Sequence, residues 1–306
     1  MAQTLDTLVR RTASIQGIRS VVHTMKTLSV INAAPYEHAA LAIEAYHQTV
    51  LEGLHAFLVG AGPLGVDTSR IARRVLVVFG SDHGLCGNYN EAIAAHVRHH
   101  VDGEADGAAT MLCIGAQMAD ALQDQGFEVE KTFLPAASVD GLERLANLLT
   151  ERLDEIRRSS HPREIAVSLA YSARGEGDVP VLKIVALLPL DQALLRDLRS
   201  KPWNSRSLPS YSMPAGDLFR ALVRSHLFAS LFRAAADAMV TENAARLALM
   251  QQAEQSVDDR LEELKSDTRT LRQSEITTEL LDVIIGFEAL KKKKIPGPSP
   301  EQKPKA

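Results

Sequence analysis

Residues 250–271 read MQQAEQSVDDRLEELKSDTRTL, with Met250, Val257, Leu264 and Leu271 at strict seven-residue intervals among charged and polar neighbours. A helix with that pattern buries one narrow stripe against a second helix. Working outward, the helical signal begins at about Asp217, which reads as the N-cap, and reaches Lys294 without a proline. Phe219, Leu222, Val223 and Leu227 carry an apolar face before the heptads, and Ile276, Leu280, Val283, Ile284 and Phe287 carry one after them. At 1.5 Å per residue this helix would be roughly 110 Å long, several times the width of a small domain. The prolines and serines of Lys201–Gly216 form the loop that leads into it, and Pro296, Pro298 and Pro300 close it, so residues 295–306 read as a disordered tail.

The partner stripe is at the other end of the chain. Leu8, Ile15 and Val22 repeat at seven-residue spacing, Ile18 and Met25 fill the seam, and Val21 and Leu28 broaden it. The helix is expected from about Leu5 to Tyr46, with a kink or break near Asn32–Pro35, because proline lacks the backbone donor and crowds the preceding turn. Between the two ends the pattern changes. The run Val75–Phe79 reads as a buried strand closed by Gly80, followed by a helix over Asn90–His100. Met111–Ile114, Phe127–Phe133, Ile165–Tyr171 and Val181–Leu188 read as further strands, with helices over Ala116–Gln125 and Gly141–Arg158. Alternating strands and helices make a largely parallel α/β layer. The fold class is therefore an α/β domain inserted between two long terminal helices that form an antiparallel coiled coil. Its expected boundaries are 1–66 with 215–294 for the coil, 67–214 for the Rossmann-like domain and 295–306 for the tail.

Composition narrows the function. A net charge of −4 over 306 residues does not point to nucleic acid or to an acidic membrane surface. Two cysteines, Cys86 and Cys113, make no disulfide framework. Neither a signal peptide nor an apolar run long enough to span a bilayer is legible, so membrane association has to come through partners. Chemistry-bearing clusters are sparse. Gly80, Gly84 and Gly87 lack the Gly-Lys-Ser/Thr ending of a phosphate loop and read as a strand-to-helix turn, with Asp82 as a turn or cap residue. Cys86 near His83 lacks a third partner for a nucleophile, and His96, His99 and His100 lack a completing metal ligand. No catalytic residue, cofactor site or metal site is expected.

Four segments in order resemble the gamma subunit of F-type ATP synthases, over about residues 5–290. They are Ser14-Ile15 with Val21 and Met25-Lys26; the loop Ser81-Asp82-His83-Gly84-Leu85-Cys86-Gly87; Thr241-Glu242-Asn243-Ala244-Ala245-Arg246; and Arg272-Gln273-Ser274-Glu275-Ile276-Thr277-Thr278-Glu279-Leu280. The resemblance implies a non-catalytic rotor shaft standing in a hexamer of alpha and beta subunits, its foot on the membrane c-ring beside epsilon. It implies that Met25 and Lys26 lie near the acidic lever of beta, and that Asp82, Leu85 and Cys86 touch beta. Arg272, Gln273, Thr277 and Glu279 would grip its loops at the shaft tip. It also implies a peripheral location on the cytoplasmic face of a bacterial inner membrane. The chain departs from the family in Pro35, in having no Lys or Arg from Thr27 to Ser69, in His83 for Arg, in Arg269 for Asn, and in the basic run Lys291–Lys294 with its tail. A divergent or alternate branch fits these departures and leaves the ion, proton or sodium, open. The alternatives are an interaction protein bearing an α/β domain on a coiled-coil stalk, as a monomer or a dimer, and an α/β nucleotide-binding enzyme with helical extensions.

Overall fold

A computed structural model describes residues 4–61, 71–103, 109–160 and 164–293. The loop expected around Gly62–Gly65 and the tail after Lys294 lie outside the described residues. Among the described residues, six α-helices and five strands follow in order: α1 Leu5–Ala61, β1 Ile71–Phe79, α2 Tyr89–Asp102, β2 Ala109–Ile114, α3 Ala116–Asp124, β3 Val129–Phe133, α4 Val139–Ser160, β4 Glu164–Arg174, β5 Pro180–Leu188, α5 Gln192–Ser200 and α6 Ala215–Lys293. The chain forms two compact units, one from the residues up to Thr24 with those from Gln252 onward, the other from Met25–Gln251.

In the first unit, the ends of α1 and α6 pair antiparallel. The Arg19 guanidinium donates to Asp258 at 2.5 Å, and His23 meets Glu254 at 3.1 Å. Four residues forward on α1 is thus four residues back on α6. Leu8, Val22, Leu261 and Leu264 are buried, while Ile15, Val257 and Leu271 are half-buried. The seven-residue positions thus turn inward, each buried leucine contributing about 1.5–3 kcal/mol, whereas Ile18, expected to fill the seam, and Val21 and Leu28, expected to broaden it, are exposed.

In the second unit, a five-stranded sheet has the order β3-β2-β1-β4-β5, with β5 antiparallel at one edge and the other pairings parallel. Alternation along β1 divides two cores. Val75, Val77 and Phe79 join Leu112, Ile114, Val167 and Leu169 on one face, covered by α4 and by Tyr36, Ala39, Leu231 and Ala235 of the long helices. Leu76 and Val78 join Met111 and Cys113 on the other, covered by α2 and α3. A third core of Leu54, Phe57, Leu58 and Leu198 ties α5 to the end of α1.

Three expectations are corrected. Helix α1 runs unbroken through Pro35 to Ala61 and does not break near Asn32. Proline leaves the Ile31 carbonyl without its helical donor, but Ile31 is exposed, where water can serve. The next turn is fixed from outside, since the Tyr36 hydroxyl donates to the Ala136 carbonyl at 2.9 Å. Beyond Tyr46, the buried positions Val50, Leu54, Phe57 and Leu58 keep helical spacing and carry the helix on. Asp217 is not the N-cap of α6: its amide and that of Leu218 reach the Pro214 carbonyl, which places Asp217 in the first turn, paired with Arg220. Helix α5 was not anticipated, although Asp191 caps it by accepting from the Ala193 amide at 2.8 Å and Leu194, Leu195 and Leu198 are spaced for it.

Candidate functional site

Open α/β sheets take ligands at the carboxyl ends of their strands, where the strand order reverses. Here that point lies between β1 and β4, and protein fills it. The Tyr89 hydroxyl donates to the Ala238 carbonyl at 3.0 Å and lies 3.1 Å from the Thr241 hydroxyl, which in turn bonds the Ser172 carbonyl. A buried hydroxyl so bound resists ionisation, and burial drives the Tyr89 phenol far up. Tyr89→Phe should cost about 1 kcal/mol in urea unfolding, because Thr241 retains its carbonyl partners.

The turn after β1 is built to the same end. The Ser81 amide donates to the Asn90 side-chain oxygen at 2.9 Å, and the Asn90 amide donates back to the Ser81 hydroxyl at 2.8 Å. Asp82 accepts from the Ala116 amide at 3.0 Å and so caps α3, satisfying a donor at a helix start. Cys86 is buried beneath the turn against Ser81, and burial pushes its thiol up. Its neighbour at position 83 offers a backbone carbonyl, while the His83 ring points to solvent. A raised thiol without an imidazole beside it is no nucleophile. What the turn displays is Leu85, held at φ 64° and 51% exposed. A leucine in the left-handed region carries strain of about 1–3 kcal/mol.

Beneath this turn Glu242 and Arg246 form an ion pair on α6 at 2.6 Å. Burial raises the Glu242 carboxyl, opposed by Arg246. His96 and His99 are exposed on α2, and no metal-binding cluster occurs among the described residues. An open depression of about 340 Å³ lies on the exposed face of α4 at Asp140, Arg144 and Leu148.

The other expected site residues lie on the long helices. Met25 and Lys26 are half-buried on α1. From Arg272 to Leu290 every described side chain is exposed, Gln273, Thr277 and Glu279 included. Ile276, Leu280, Leu281, Val283, Ile284, Ile285, Phe287 and Leu290 are all open there, Phe287 at 73%. At 100° per residue these eight cover an arc of roughly 220°, wider than the stripe a helix offers to a single neighbour. No described helix is long and apolar enough to cross a membrane.

A family model described as ATP synthase matches residues 4–290. The ATP synthase gamma chain of Chlorobium phaeobacteroides is 26% identical over 94% of this chain and 98% of its own length. That of Phocaeicola vulgatus is 28% identical over 91% and 97%. Among solved structures, a chain of the Euglena gracilis mitochondrial ATP synthase, determined with OSCP, F1 and the c-ring, shares the fold at a TM-score of 0.64 and 16% identity, covering 97% of this chain and 98% of that one. A chain of the Tetrahymena thermophila central stalk and c-ring gives 0.52 at 16% identity, over 76% and 99%. With intramolecular helix pairing, a filled ligand crevice and a family match along nearly its whole length, the chain belongs to the family of ATP synthase gamma chains.

Proposed function

We propose that this chain is the central-stalk rotor subunit of an F-type ATP synthase, coupling ion flow through a membrane ring to nucleotide chemistry on the beta subunits. The observation that carries this reading is the last stretch of α6. An apolar arc open on more than one side needs enclosure rather than a single docking face, and the bore of an alpha–beta hexamer supplies it. Arg272, Gln273, Thr277 and Glu279 stand at the mouth of that arc as polar grips, Arg272 with its forked donors. Met25 and Lys26 are assigned to the lever of beta. In the turn after β1, Leu85 is assigned the contact with beta, while Asp82 and Cys86 shape the turn that holds it out. The sheet-bearing region is assigned to the c-ring and epsilon, with boundaries 67–214, and the paired helices 1–66 and 215–294 to the shaft. The subunit carries no catalysis of its own, and its place is the cytoplasmic face of a bacterial inner membrane.

The test is co-expression with alpha and beta subunits from the same source, followed by isolation and a Mg-ATPase assay. One copy of this chain per three alpha–beta pairs, with turnover that depends on its presence, is the expected result. Alpha and beta assembling at full activity without it would reject the reading.

A further inference from the structure

Midway along the sheet-bearing unit, α1 and α6 are joined by two histidines. His47 Nε2 lies 3.0 Å from His226 Nδ1, with the ring centroids 5.0 Å apart and tilted by 33°. His226 is buried and His47 half-buried. A neutral imidazole has one donor and one acceptor, so two neutral rings, or one neutral and one charged, can share this hydrogen bond. Two charged rings cannot, since both facing nitrogens would carry protons and two cations would stand in contact. The charged groups around the pair do not relieve that conflict. On α1, Glu44 lies one turn before His47 but is already engaged by the Gln48 amide and by Arg233 of α6. Arg233 adds positive charge, and its other near carboxylate is Asp237. From α4, Asp154 faces Arg224 and Arg157.

We propose that the His47–His226 contact is a proton-operated clasp between α1 and α6, closed while at least one imidazole is neutral and opened when both are protonated. It depends only on the meeting of these two helices, and holds whatever the partners of the chain. Burial lowers both rings, and His226 falls to about 4 from the usual 6.5, with His47 adding to the shift. The unfolded chain takes up a proton below about pH 6.5 that the folded chain refuses until about 4. The stability linked to holding His226 neutral is therefore complete above pH 6.5 and is lost as pH falls from there toward 4, where protonation of the second ring opens the clasp. From pH 7.5 to pH 5.0 the unfolding equilibrium constant should rise about 30-fold on account of His226 alone.

The experiment compares urea unfolding of the full chain with that of His226→Gln at the two pH values. Glutamine keeps a hydrogen bond to His47 and does not titrate, so the variant should lack about 30-fold of the acid sensitivity of the parent. An equal acid response in both proteins overturns the clasp. Should His226→Gln fail to fold, His47→Gln with nitrogen-15 histidine spectra of the full chain decides instead. The pH at which His226 protonates should then move upward once its cationic neighbour is gone, and an unmoved titration overturns the proposal.

Discussion

Gly115→Ala is expected to lower the melting temperature of this chain by about 8–16 °C, the equivalent of about 4 kcal/mol in a unit of this size. Gly115 joins β2 to α3 at φ 99°, a conformation that side chains rarely adopt. A Cβ there would lie 2.3 Å from the Ser81 carbonyl oxygen, which is backbone and cannot swing aside. The Gly115 amide also donates to the Phe133 carbonyl at 2.9 Å, so the turn cannot relax without loosening β3. Strain of about 1–3 kcal/mol from the dihedral and a comparable overlap cost add together. Ser81 also anchors the turn that displays Leu85, so under the proposed contact of Leu85 with beta the consequence would be functional as well. Gly84→Ala is the control: an added Cβ meets nothing within 4 Å, and its melting temperature should stay within about 2 °C of the parent. Gly115→Ala melting alongside it would show that the turn has slack.

The periodic parts of this molecule were legible from the residues. The heptads of Met250–Leu271 and Leu8–Val22 face inward as their spacing requires, and the apolar runs at Val75, Met111 and Ile165 are strands. What misled was a local rule outweighed by tertiary packing. Pro35 signals a break, but Tyr36 and Ala39 are buried against the sheet-bearing core, and one lost hydrogen bond on an exposed face does not undo that. The short helix α5 has one turn of apolar spacing, too little for periodicity to stand out beside the prolines that follow.

Site residues were legible only by type. Asp82 reads as a cap and is one; Cys86 and His83 read as neighbours in sequence, but the turn points them in opposite directions. The His47–His226 pair joins residues 179 positions apart and has no sequence signature at all. Nor does the filled crevice, since Tyr89 and Thr241 look like ordinary helix residues until the sheet brings them together.

Arg272→Ala combined with Gln273→Ala should lower coupled ATP turnover of the assembled complex by about tenfold or more, while the free chain melts unchanged. Both side chains are exposed at the point where the seam ends, with Leu271 the last half-buried residue before them. Exposed substitutions of that kind change stability by only about 0.5 kcal/mol, so a loss in the complex has to come from a partner. Tenfold corresponds to about 1.4 kcal/mol, within the range of a single arginine at the centre of an interface. The apolar arc from Ile276 onward is unchanged in the variant, which separates the proposed gripping from assembly. Arg272→Lys sharpens the question, because lysine retains the charge and loses the fork that binds two acceptors at once. If the lysine variant turns over like the parent, charge alone suffices. If the double alanine variant remains fully coupled, the proposed polar grip is rejected, and the contacts proposed for Leu85 and for Met25 with Lys26 have to carry the torque.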